Sequence, residues 1–490
     1  MKKLPLSSFS VRTLALVSLL IVPRAISAQT TKKFEPKQLQ EDFQILRQAL
    51  EESQSGLYRY TKKTELDQVF DRAEKSLDRP MDFYEFYRLM MPTIAAIKCG
   101  HTTLDLPPEV REDIEQLPRF PFDVKILDSN AYIFRDYAKG GALAGREIQS
   151  INGFPATSII SRMLAAVSKD GDIQSSRQRE VSNFFGEQLI TLLGLRAPYD
   201  VLLGNASGNN RTERVQVAGL KRAEMVRLAK MLYPQDQPAR KFAELKFLDD
   251  GQIAHLTYSE FGTNVDEGRE FLKRTFEAIQ AKGSRALILD VRENAGGEDE
   301  LGELLLSYLT DTPFRYYDDI IVNKWKGRFS FTAKYTEPHM DLIVPEGVAE
   351  PRADGKAHIT LASEPLLGLQ QPSKPTFGGR VYVLVDGGSF STTAEFLSVL
   401  QSHHRGAFIG EESGGGYYGN TSGSSARIVL PHTKLVVYIP AMDGYLAVSG
   451  SHDAARGVIP DYPIKQTIND LIAGVDKDYD LALNLARQNR

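Results

Sequence analysis

The chain has a single cysteine, Cys99. No internal disulfide can form, so the fold does not rely on crosslinks, and a cysteine-based metal cluster is excluded. The eight histidines show no HExxH pattern, and His403 and His404 are adjacent, a poor spacing for one ion. No metal and no other cofactor is therefore expected. Polybasic runs are also missing, which leaves no electrostatic footprint for nucleic acid or for a membrane surface. No apolar run approaches the roughly 20 residues of a membrane-spanning helix. There is no internal repeat or low-complexity tract. What remains, at 42% hydrophobic and 25% charged residues, is the composition of a globular protein, and 490 residues are too many for one ordinary core.

The N-terminus has its own character. A basic start (MKK, then Arg12) leads into TLALVSLLIVP and then RAISA before Gln29. A charged start, a short apolar stretch and a small residue at the cut describe a secretory signal peptide over residues 1–28, cleaved after Ala28. The mature protein is then exported, periplasmic or secreted. The leader carries four basic residues and no acid, so its loss takes the net charge from −4 to −8.

Hydrophobic periodicity predicts three successive helices in a helical module over residues 29–118. PKQLQEDFQILRQALEES puts Leu39, Phe43, Leu46 and Leu50 on one stripe; ELDQVFDRAEKSL and MDFYEFYRLMMPTIAAIK follow, the latter with Asp82 as its cap. Residues 119–220 change to β-like runs (FPFDVKIL, AYIFRDY, EIQSI, YDVLLG, ERVQVAG) with a helix after Pro155. From 221 to 490, strands alternate with helices: GQIAHLTY, VDEGREFLKRTFEAIQAKG, ALILDV, ELGELLLSYL, VYVLV, STTAEFLSVLQSHH, GAFIG. That alternation predicts an α/β core with a parallel sheet and a site at the carboxyl ends of its strands.

Four short segments hold candidate chemistry. DVRENAGGED (290–299) ends a buried strand in glycines that free backbone amides to hold an anion, or else is a simple turn. GGSFSTTAEF (387–396) places Ser391 directly before a helix, as an N-cap or as a nucleophile at the sheet edge; it is not a GxSxG elbow. CGHTTL (99–104) puts His101 in a polar turn after a helix. EESGGGYYGNTSG (411–423) is glycine-rich but has no GxxxxGK[ST] pattern, and is expected as a mobile loop beside a cleft.

In their order, these segments resemble the C-terminal-processing (tail-specific) protease family, which includes the tricorn core protease and the interphotoreceptor retinoid-binding protein. ALILDVRENAGG, GSFSTTAEF, FIGEESGGG, GREIQSINGFPA and GVIPDYPI carry the likeness, over about residues 36–485. The resemblance implies a ClpP/crotonase-like α/β core and a PDZ-like domain at 119–220. It implies a serine-type peptidase acting on peptides or unfolded proteins, with Ser391 as nucleophile and the amides of Gly296 and Thr392 as oxyanion hole. The tail-specific branch uses a lysine base at the position of Gly416, yet no lysine occurs between Arg380 and Lys434. The tricorn-like branch uses a histidine, which His101 matches, and an acid near Ala454, for which Asp453 and Glu412 are the candidates. Because the retinoid-binding relatives use this fold without turnover, a non-catalytic peptide- or ligand-binding protein is the alternative.

Overall fold

A computed structural model describes residues 32–204, 212–234, 241–338 and 342–488. The expected signal peptide, 1–28, lies outside the described residues. Among them, no helix is long and apolar enough to cross a membrane.

The strands expected in the C-terminal half form one sheet. Ala243–Leu248 pairs antiparallel with Ile253–Tyr258, and from there Ala286–Asp290, Arg380–Val385, Ala407–Gly410 and Tyr462–Pro463 follow in parallel. Between their charged ends, Asp290 and Arg380, the two central strands are apolar because both faces are covered. Leu287, Leu289, Val381, Val383 and Val385 point to one face, packed with Leu272, Phe276, Phe396 and Leu400 from the helices Val265–Lys282 and Thr392–Ser402. Ala286, Ile288, Tyr382 and Leu384 point to the other, against Ala482 and Ala486 of the helix Lys477–Gln488. The two-residue period of the strand sorts the side chains between the layers.

The N-terminal helices are Pro36–Ser53, Lys63–Lys75 and Phe83–Ala95, the last capped by Asp82, whose side chain accepts from the Glu85 amide. Residues 122–217 form a six-stranded antiparallel sheet, with the helices Ala156–Ala166 and Gln174–Thr191 against it. One apolar core runs through these helices, this sheet and the inner face of a hairpin, Thr421–Val429 with Val436–Leu446. That hairpin matters for the site. The short strand Thr103–Asp105 pairs with Val436–Tyr438, which fixes the turn at 98–102 against the C-terminal half. Arg59, buried and paired with Asp443 at 2.6 Å, clamps the same junction.

Candidate active site

Ser391 is the first residue before the helix Thr392–Ser402, yet its side chain caps nothing. Its backbone has φ 55° and ψ −132°, a conformation that glycine tolerates and a residue with a Cβ resists. That turn lifts the hydroxyl off the helix axis and towards His101, whose Nε2 lies 3.1 Å from Ser391 Oγ across 290 positions of sequence. The imidazole stacks on Phe390 with centroids 4.6 Å apart, which fixes its plane. Burial is the largest influence on His101 and pushes its pKa below the usual value; Asp170 and Asp299 pull the other way, and Lys169 adds to the depression. At neutral pH the ring is uncharged, as a proton acceptor must be.

The turn is held from below. Ser389 is fully buried; its hydroxyl donates to the Val291 carbonyl at 2.9 Å, and its own carbonyl accepts from the Gly414 amide at 2.8 Å. The Phe390 amide donates to the Asn294 carbonyl at 3.0 Å. The segment 290–297 thus lies directly against the Ser391 turn. At Gly296, with φ 102°, a Cβ would come 2.7 Å from Ser391 Cβ. Only glycine lets the two backbones approach this closely. Arg292 of the same segment forms a two-pronged ion pair with Asp290 and reaches Asp476 at 2.8 Å, tying the strand end to the C-terminal helix.

The two amides expected to form the oxyanion hole differ. Thr392 is the first helical residue, so its N–H has no acceptor within the helix. The Gly296 N–H instead donates to Asn294 Oδ1 at 2.9 Å, and Asn294 is itself buried and anchored to the Tyr258 carbonyl. Behind Thr392 sits a polar cluster that no sequence pattern revealed. Thr392 Oγ1 is 2.6 Å from Asp299 Oδ1, and the Tyr317 hydroxyl lies 2.8 Å from Asp299 and 2.7 Å from Glu395. Glu395 is buried beside Asp299, and burial holds its carboxyl well above the ordinary carboxylate range.

The acid candidates lie elsewhere. Both oxygens of Glu412 are taken by Arg456, each at 2.7 Å, and Asp453 is exposed and caps the Ala455 amide. Neither has a hydrogen bond to the imidazole among the described residues. Gly416, where the tail-specific branch carries lysine, has the Tyr60 hydroxyl in the space a side chain would need. The glycine-rich segment 411–420 is not a free loop: most of it is buried, with the Ser413 amide on the Val458 carbonyl and the Tyr417 amide on that of Arg456. Its glycines serve close packing under the Ser391 turn.

Comparisons with known proteins bear on the family and the fold. The sequence profile of peptidase family S41 matches residues 252–464. No curated protein matches the sequence. Among solved structures, mature CPAF is similar in fold, with 14% identity, a TM-score of 0.59, and 92% of this chain and 96% of that one covered. Mature CPAF complexed with lactacystin gives 14%, a TM-score of 0.60, and 92% and 98%.

Proposed function

We propose that the chain, whose residues 252–464 match peptidase family S41, is an exported serine-type peptidase that cleaves peptides or unfolded proteins with Ser391 as nucleophile and His101 as base. One observation carries the pairing: the 3.1 Å approach of His101 Nε2 to Ser391 Oγ, with the hydroxyl doing no capping. Ser391 Oγ attacks the scissile carbonyl and gives its proton to Nε2; His101 returns it to the leaving amine, and water then hydrolyses the acyl-enzyme by the same relay. The tetrahedral oxyanion is met by the Thr392 amide at the head of its helix, where losing one such donor typically costs roughly 3–4 kcal/mol. The Gly296 amide joins it only on release from Asn294. Residues 29–118 supply the base, 221–490 the nucleophile, and the antiparallel sheet of 119–220 is PDZ-like, binding an extended chain by strand addition.

The Gly296–Asn294 bond is the one feature that favours the alternative, a binding protein without turnover. Labelling of the purified protein with a fluorophosphonate, followed by mass mapping, separates the two. Label on Ser391 that is lost in His101→Ala supports the His-based mechanism. Label that survives this change shows that another base is at work. Absence of label, together with absence of peptide turnover, overturns the catalytic reading.

A further inference from the structure

His101 has one nitrogen accounted for. Nε2 faces Ser391, whereas Nδ1 is buried and has no hydrogen-bond partner among the described residues. For Nε2 to accept the serine proton, Nδ1 must carry the ring hydrogen, and a neighbouring acceptor usually sets that tautomer. Neither Asp453 nor Glu412 is placed to do so. Asp170 is. It is fully buried, and one of its oxygens, an imidazole nitrogen and the Cys99 sulfur all lie within 4.8 Å of one another. A single water making two hydrogen bonds of about 2.8 Å spans roughly 4.6 Å.

We infer that Asp170 is the positioning acid of the His101–Ser391 pair. The assignment rests on the serine-peptidase reading and deepens it. Asp170 is held for this role. Its Oδ1 accepts from the Gly100 amide at 2.7 Å, so the carboxylate is anchored to the very turn that carries the imidazole. A Cβ at Gly100 would come 2.7 Å from the Phe390 ring, so glycine lets that ring pack against the turn. The following residues dock between the segments that meet at the site: the Gly171 amide donates to the Lys98 carbonyl at 3.0 Å, and that of Asp172 to the Ala455 carbonyl at 2.7 Å. The acid expected near Ala454 is thus replaced by one delivered from the loop packed on Ala455.

The other groups facing the ring do not compete. The Cys99 thiol is pushed up to about 12 by burial and donates to the Thr421 carbonyl, so it stays neutral. Lys169 is bound to Glu180 at 3.2 Å, and Asp299 is engaged by Thr392 and Tyr317. Of the charged groups acting on His101, Asp170 has the strongest effect.

The test is a histidine ¹⁵N NMR titration of the full-chain protein in wild type, Asp170→Asn and Asp170→Glu, with His101→Ala assigning the signal. Wild type shows the Nδ1–H tautomer. Oδ1 of Asp170 accepts from the Gly100 amide and Oδ2 from the Gly416 amide at 3.4 Å; Asp170→Asn removes the negative charge beside the ring, so the tautomer preference is lost and the His101 pKa falls. Peptide kcat and fluorophosphonate labelling drop about 10²–10⁴-fold, with KM little changed, and Asp170→Glu recovers part of the rate. An Asp170→Asn protein with unchanged tautomer and titration overturns the inference, as does the same spectral change in Asp453→Asn or Glu412→Gln. Should Asp170→Asn not fold, Asp170→Glu decides: its displaced carboxylate shifts the His101 titration, and an unmoved titration refutes the role. Because tautomer and titration are read without turnover, an inactive wild type would defeat the peptidase reading while leaving this measurement decisive.

Discussion

Ser391→Gly should make the protein more stable than Ser391→Ala while leaving it equally dead. Ser391 sits at φ 55° and ψ −132°, close to a region that is nearly glycine-only and costs a residue with a Cβ about 1–3 kcal/mol. Alanine keeps the Cβ and so keeps the strain; glycine releases it. Against that release stands the extra freedom glycine gains in the unfolded chain, roughly 0.4–1 kcal/mol. At the middle of the two ranges the net advantage of glycine over alanine is about 1.3 kcal/mol. Both variants lose the hydroxyl and its bond to His101, so that loss cancels in the comparison. At about 2 cal/mol/K of unfolding entropy per residue, the difference is a Tm gap of roughly 1.3 °C for a chain of this size. Paired scanning calorimetry reads it, with denaturant midpoints as a second measure. Turnover in both should fall by about 10⁶-fold, as for loss of a serine nucleophile elsewhere. An alanine variant as stable as the glycine variant, or more so, would refute the idea that the turn stores strain to aim the hydroxyl.

Other outcomes follow from the same geometry. Because burial lowers the His101 pKa below 6.5, the acid limb of the kcat/KM profile should have its midpoint below that value, with activity present at neutral pH and lost as pH falls through the limb; a midpoint at or above 6.5 contradicts the buried neutral base. Gly416→Ala should destabilise by about 1–3 kcal/mol through its collision with the Tyr60 hydroxyl. Tyr60→Phe in the same chain should recover part of this, since the Tyr60 Cζ would stand 3.4 Å from the new methyl; the Gly419 carbonyl at 2.9 Å keeps recovery incomplete. A double-mutant cycle in urea with no coupling would remove Tyr60 as the cause. Glu395 has a raised pKa in the folded state, so above its unfolded value near 4.5 the native state holds a proton that the unfolded chain has released, and stability falls as pH rises towards the folded pKa. Glu395→Gln should flatten that fall, and equal slopes in the two proteins would refute it.

Much of the fold could be read from periodicity. The stripe Leu39, Phe43, Leu46, Leu50 is buried in the helix Pro36–Ser53, and the apolar run ALIL, closed by Asp290, is the central strand Ala286–Asp290. Weakly patterned elements escaped. The helix Gln174–Thr191 is built largely of polar residues and kinks at Phe184, so no clean stripe announces it. The hairpin strand Thr421–Val429 begins TSGSS, composition that reads as loop; its buried apolar residues are Ala426 and Ile428. Asp170 lies in SKDGD, which reads as a turn, and its placement beside His101 depends on tertiary docking that no local pattern encodes. The commitment of the Gly296 amide to Asn294 was equally hidden. The motif located the glycine beside the nucleophile but not the direction of its N–H.

These exceptions share a physical origin. The proposed reaction centre, gathered from residues 101, 170, 296 and 391, must bring segments together that local propensity would keep apart, and the contacts that do so override local rules. Ser391 occupies a cap position without capping, Gly296 and Gly100 give up side chains so that backbone and ring can pack against them, and Asp170 spends one oxygen on holding the His101 turn. Each arrangement forgoes some local stability for placement. The strand pair Thr103–Asp105 with Val436–Tyr438 and the buried Arg59–Asp443 pair hold the two halves in register. Arg59→Ala should therefore weaken catalysis as well as folding. It leaves Asp443 buried and uncompensated, a loss typically of about 3–5 kcal/mol for a buried pair, and loosens the junction that holds His101 at 3.1 Å from Ser391. A displacement of about 1 Å at a reacting pair can cost 10²-fold in rate. Stability measured by urea unfolding and kcat measured on the folded fraction should both fall; a folded Arg59→Ala protein with full kcat would show that the His101 turn is held by its own strand and by Asp170 alone.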